Sequence, residues 1–111
     1  MSELVDKMRK ARETRITVGS FIFLVRRPTT LEMIEIQDQP RGRAILPFVI
    51  GWSGVKESDV LSSGDGHLLE FSADVCAEWL TDRLDLLAPI AEAVFAAFAS
   101  HQHRMELTEK N

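Results

Sequence analysis

RITVGSFIFLVRRPTTLE, residues 15–32, decides how the rest of the chain is read. β-branched and aromatic residues dominate its first part, and Gly19-Ser20 splits them into two runs. That pattern predicts two strands, at about 15–18 and 21–26, joined by a tight turn. Alternation puts Phe21, Phe23 and Val25 on one side of the second strand and Ile22 and Leu24 on the other. Both sides are apolar, so at least one must be covered by helices or by another subunit. Pro28 then ends the strand, and Thr29 with Glu32 three residues later has the form of a capping box. The helix it opens should run to about Asp38, ahead of Pro40.

Upstream lies a charged leader, residues 1–14. Ser2 can cap a short helix over 2–12, with Glu3 and Asp6 in its first turn and basic residues after them, the order that suits a helix dipole. Its apolar residues, Leu4, Val5, Met8 and Ala11, form a thin stripe, and such a segment frays unless it docks on something. Downstream, AILPFVIGW at 44–52 is strongly apolar. Pro47 is tolerated in the first turn of a helix, so a helix beginning near Arg43 is expected.

Residues 55–71 read as an irregular connection with a turn at Ser62-Ser63-Gly64-Asp65-Gly66 and an extended piece over 67–71. Ser72 caps the next helix, which runs to about Asp82 with Val75, Cys76, Trp79 and Leu80 inward. The last helix starts near Asp85, with Pro89 expected in its first turn, and continues to about 103. Leu87, Ile90, Ala91, Val94, Phe95 and Phe98 share one broad face of it. Residues 104–111 are expected to be a frayed polar tail. The fold expected is α+β: a mostly helical single domain over 15–103, with an N-terminal β-hairpin packed on helices and a long C-terminal helix.

The composition fits one domain: 111 residues, 45% hydrophobic and 27% charged, too apolar for a wholly disordered chain. One cysteine excludes an intrachain disulfide and a cysteine-based zinc site. No uninterrupted apolar run approaches the ~20 residues of a membrane span, and the charged N-terminus lacks a signal-peptide core, so an intracellular protein is expected. The formal charge of -4 hides an asymmetry. Residues 1–43 hold nine Lys/Arg against six Asp/Glu, whereas 44–111 hold four against eleven. That split is compatible with nucleic acid bound at the basic front, with head-to-tail self-association, or with two solvated faces.

The motifs of catalysis are missing: the chain has no G-x-S-x-G, no P-loop, no H-E-x-x-H and no C-x-x-C. His101 and His103, two apart on a helix, point in different directions and do not make a metal pair. The stretch Asp59–Glu70 has Asp, Gly and Glu at the first, sixth and twelfth places of a calcium loop, but Leu61 at the third offers no oxygen. Cys76 among apolar neighbours reads as a buried small hydrophobe. Trp52 and Trp79 read as anchors, since no basic-aromatic alternation accompanies them. Arg26 and Arg27 could meet phosphate, yet the chain as a whole is acidic. No enzyme activity, cofactor or metal is expected.

The order of features carries a resemblance. An apolar hairpin ends in Arg26-Arg27-Pro28-Thr29, and a helix follows. Next comes an apolar run closing on Gly51-Trp52-Ser53-Gly54-Val55, then an acidic glycine turn. Phe71-Ser72 leads into two helices. Over residues 15–103 this resembles the tail assembly chaperones of long-tailed bacteriophages, the lambda-type G protein and its relatives. The resemblance implies a non-catalytic assembly factor that binds the tape measure protein while tail tube protein polymerises around it. It implies action in the host cytoplasm and absence from the finished virion. A homo-oligomer with no membrane partner is expected, with Arg26 and Arg27 on the basic side meeting an acidic side of the next copy. Phe95 and Phe98 are the candidate partner-binding residues, and Trp52, Gly54, Phe71 and Trp79 the candidate structural anchors. The alternatives are a phage structural protein (a head–tail connector or minor tail protein) or a nucleic-acid-binding regulator.

Overall fold

A computed structural model describes residues 2–110. The elements are α1 (Glu3–Lys10), β1 (Glu13–Val18), β2 (Phe21–Arg26), α2 (Thr30–Ile36), α3 (Arg41–Ile45), a 3-10 turn (Leu46–Phe48), β3 (Val49–Ser53), α4 (Glu57–Val60), α5 (Ala73–Leu80) and α6 (Leu84–Lys110). The class is α+β, one domain with a three-stranded antiparallel sheet and a long C-terminal helix.

The hairpin forms where the sequence places it. Val18 pairs with Phe21 across the Gly19-Ser20 turn, and the ladder continues to Glu13 opposite Arg26. The first strand therefore begins two residues into the expected leader. Phe21, Phe23 and Val25 are buried, and helices cover that side; Ile22 is exposed and Leu24 half-buried on the other. Three caps expected from sequence are present. The Ser2, Thr29 and Ser72 side chains accept from the N–H of Val5, Glu32 and Val75, and Glu32 returns a carboxylate to the Thr29 N–H.

The helix expected over 44–52 is corrected. Helix and 3-10 turn end at Phe48, and Val49–Ser53 adds to the sheet as a third strand, antiparallel to β2. Without it β2 would bury one row of N–H and C=O groups unpaired, a cost that outweighs a local helical preference. Val49, Ile50 and Trp52 also suit a strand. The register slips by one between Leu24 and Val25, so Ile50 has no partner across the ladder and the strand bulges there. The connection over 55–71 is less irregular than expected, since α4 forms within it.

α6 closes the core. Leu86, Leu87, Ile90, Val94 and Phe98 are buried at helical spacing, in a core with Phe23, Ile45, Val55, Trp79 and Leu80. Pro89 lies inside the helix, a turn later than expected. The helix runs on to Lys110, where a frayed tail is expected. Its length, ~40 Å, accounts for much of the 56 Å long dimension of the molecule. By length and composition alone α6 could cross a membrane. The row of buried side chains along it packs against α3, the sheet and α5.

Candidate interaction site

On α6, one position round from the buried row, Ala91 and Phe95 are half-buried. Arg41, at the start of α3, lays its guanidinium over the Phe95 ring, 4.2 Å from the centroid. The Arg41–Phe95 pair separates two hollows. One, of ≈ 230 Å³, is walled by Met33 and Ile36 of α2 and Ala44 of α3. The other, of ≈ 420 Å³, runs along α6 past Leu84, Leu87, Ala88, Ala91 and Glu92. Small alanine side chains in the second allow another backbone to approach closely. Phe98 behaves differently from the expectation for a partner-binding ring: it is 6% exposed, and its area is used inside the chain. Of the two phenylalanines, only Phe95 keeps surface.

Arg26 and Arg27 also separate. Both terminal nitrogens of Arg26 donate to Glu32 at 2.9 Å, and its guanidinium stacks over Phe48, 4.6 Å from the ring centroid. The pairing holds the Glu32 carboxyl far down, from 4.5 to about 2, with the Arg26 hydrogen bond the main cause and the Thr29 N–H assisting. Arg26 is thus engaged within its own chain and presents little free charge. Arg27 donates to the Pro28 carbonyl at 3.1 Å. Partial burial, with Arg12 and Arg104 nearby, pushes its pKa below the usual arginine range. Burial and the same three arginines lower His101. Arg12, Arg27 and Arg104 therefore form a basic cluster between the hairpin and the far half of α6. Sequence reasoning missed it because Arg104 lies far from the other two along the chain.

The four expected anchors lie close together. Trp52 donates its indole N–H to the Leu69 carbonyl at 3.0 Å and meets Phe71 and Trp79 edge-on, at 5.0 and 5.9 Å between centroids. Trp79 continues the cluster to Phe21, 5.2 Å away. Gly54 turns the chain after β3 with φ +79, and a Cβ there would sit 3.3 Å from the Ser20 carbonyl. Gly54 is thus a corner that takes the chain out of the sheet after β3 and brings Val55 into the core. Trp79 Nε1 is the buried side-chain polar atom left without a hydrogen-bond partner among the described residues.

The loop after that corner folds back on α4. The Glu57 and Ser58 N–H groups donate to the His67 and Asp65 carbonyls, at 3.0 and 2.8 Å. Gly64 lies so close to Glu57 that a Cβ would be 2.9 Å from its backbone. This brings Glu57, Asp65 and His67 together, with donor atoms within 4.8 Å of one another. Asp65 engages Nδ1 of His67, while Glu57 approaches Nε2 at 3.6 Å. The two ring nitrogens point in opposite directions, so the imidazole bridges the carboxylates. To hold a metal ion with them it would have to leave one. The His67 N–H and ring hold Asp65 below the usual carboxylate range. Cys76 is buried, and burial pushes its thiol up to about 11, so it is not a thiolate nucleophile at neutral pH.

Comparison with known proteins finds no matching family model, no matching curated protein and no matching solved structure.

Proposed function

We propose that this chain is a non-catalytic tail assembly chaperone that holds a helical segment of the tape measure protein while tail tube protein polymerises. It acts in the host cytoplasm and leaves before the virion is complete. The observation that carries the reading is the apolar groove beside Phe95 on α6. Its alanines let a helix approach closely, Phe95 supplies area, and Glu92 at its edge offers a charge to set direction. A half-buried aromatic ring contributes part of the ~2–3 kcal/mol of a fully buried one, so each contact is modest and a client can be released. The order of the hairpin, the Gly51–Val55 corner and the two closing helices supports the same reading through its resemblance to the phage chaperones.

Co-expression with the tape measure protein of the same phage tests it. The client should stay soluble and co-purify; an insoluble client with nothing bound would sink the reading. Mass spectrometry of purified particles separates a chaperone from a structural protein, which would be abundant in them. A nucleic-acid-binding regulator is the second reading, favoured by the cluster of Arg12, Arg27 and Arg104. It requires a DNA complex whose affinity falls steeply with salt.

A further inference from the structure

α1 buries none of its residues. Leu4 is 65% exposed and Met8 51%, and with Val5 they form an apolar stripe. At ~100° per residue, Lys7 and Arg9 flank that stripe on its two sides, while Glu3 and Asp6 point away from it. Such a helix gains little from its own domain. Its eight residues are too few to hold a helix alone in water. A surface of opposite character exists elsewhere on the molecule. A groove of ≈ 440 Å³ beside α5 has Val60, Val75 and Trp79 as its apolar lining and Asp74, Glu78 and Asp82 as its other residues. The three carboxylates are four residues apart along one side of α5 and its end. Among the described residues none of them forms a salt bridge. Like charges so spaced repel one another across the helix face, and a cationic partner would relieve that.

The two surfaces cannot readily meet within one chain. α1 leads into β1, one edge of the sheet, and its basic end lines a hollow with Thr29 and Glu32. α5 packs against β3, the other edge, and against α6. We propose that α1 of one copy docks in the acid-edged groove on α5 of a second copy. The apolar stripe then lies on Val60, Val75 and the small exposed edge of the otherwise buried Trp79, with Lys7 and Arg9 against Asp74, Glu78 and Asp82. The contact is heterologous: each copy gives one α1 and offers one groove, so copies add head to tail until a ring closes or a filament grows. The charge split along the sequence supplies this contact, carried by α1 and not by Arg26, which Glu32 already neutralises. An eight-residue helix covers less than the ~1,000 Å² of a stable interface, so a single contact is weak and association depends on concentration. The contact concerns self-association alone and stands whether or not the chain serves a tape measure protein.

Sedimentation of the purified full chain, without client, tests it at about 50 mM and about 500 mM salt. The wild type should associate at the lower salt and come apart at the higher. Lys7→Glu with Arg9→Glu should weaken association roughly tenfold or more, and so should Asp74→Lys with Glu78→Lys. All four changes together should restore it, because every copy then carries the reversed charges on both surfaces. Met8→Asp should abolish it in either background. Circular dichroism confirms that each variant is folded, and the restored quadruple variant excludes misfolding as the cause of loss. A monomer at every concentration overturns the proposal, as does an oligomer indifferent to both reversals or a quadruple variant that stays apart. If α1 instead served a polyanion or the client, the chain alone would be monomeric and the α5 reversal would be silent.

Discussion

Glu32 receives three donors: two from Arg26 and one from the Thr29 N–H, all at 2.9 Å. One carboxylate thereby caps α2 and fixes the end of β2 to it. Folding lowers its pKa from 4.5 to about 2, so its contribution is fully present above about pH 4.5 and is lost as pH falls toward 2. Glu32→Gln should therefore lower stability by about 1 kcal/mol at neutral pH. The gap between the two melting curves should narrow steadily through that acid window; a gap independent of pH would contradict the assigned pairing. The capping box itself was legible from Thr29 and Glu32. The Arg26 pairing was not, because a sequence shows two adjacent arginines and not which of them a carboxylate six residues on will reach. Gly54 is a second single-residue device. Gly54→Ala forces a Cβ into left-handed backbone and toward the Ser20 carbonyl, at a cost of about 1–2 kcal/mol measurable by denaturant unfolding.

At the scale of elements, α6 divides into two halves of different stability. From Leu86 to Phe98 it carries buried residues every three or four positions; beyond Phe98 the described side chains are exposed except His101, which is partly covered. Ile90→Ala, at a position with no exposed surface, should cost ~2–5 kcal/mol. Hydrogen exchange should show the amides of the first half protected up to global unfolding and those past 100 exchanging by local fraying. Uniform protection along the helix would mean that a partner holds the second half. Apolar periodicity alone makes the first half legible in the sequence. β3 was not legible, because residues 44–53 satisfy both a helical and an extended reading, and only the free edge of β2 chooses between them.

For the molecule as a whole, α3, the sheet and α5 bury one side of α6 and leave the Phe95 groove along another. Phe95→Asp should leave folding intact, since the ring is only half-buried and faces a groove. It should abolish co-purification of the tape measure protein; retained binding would move the client site elsewhere. Periodicity singled out Phe95 and Phe98 together and favoured Phe95 as the core residue, the reverse of what is found, since helical spacing does not say how much of a broad apolar face the domain will use.

Short stretches of sequence set the local devices: the hairpin, the Ser2, Thr29 and Ser72 caps and the apolar row of α6. Each depends on residues within a few positions of one another, where sterics and hydrogen bonds act on the backbone directly. Long-range packing decided the third strand, the burial of Phe98, the engagement of Arg26 by Glu32 and Phe48, the Gly54 approach to Ser20, and the packing of acidic α5 on the edge strand β3, with basic α1 leading into the opposite edge strand β1. Those outcomes depend on which groups distant in the chain must share water-free space, and burial and pairing across that distance override local preference.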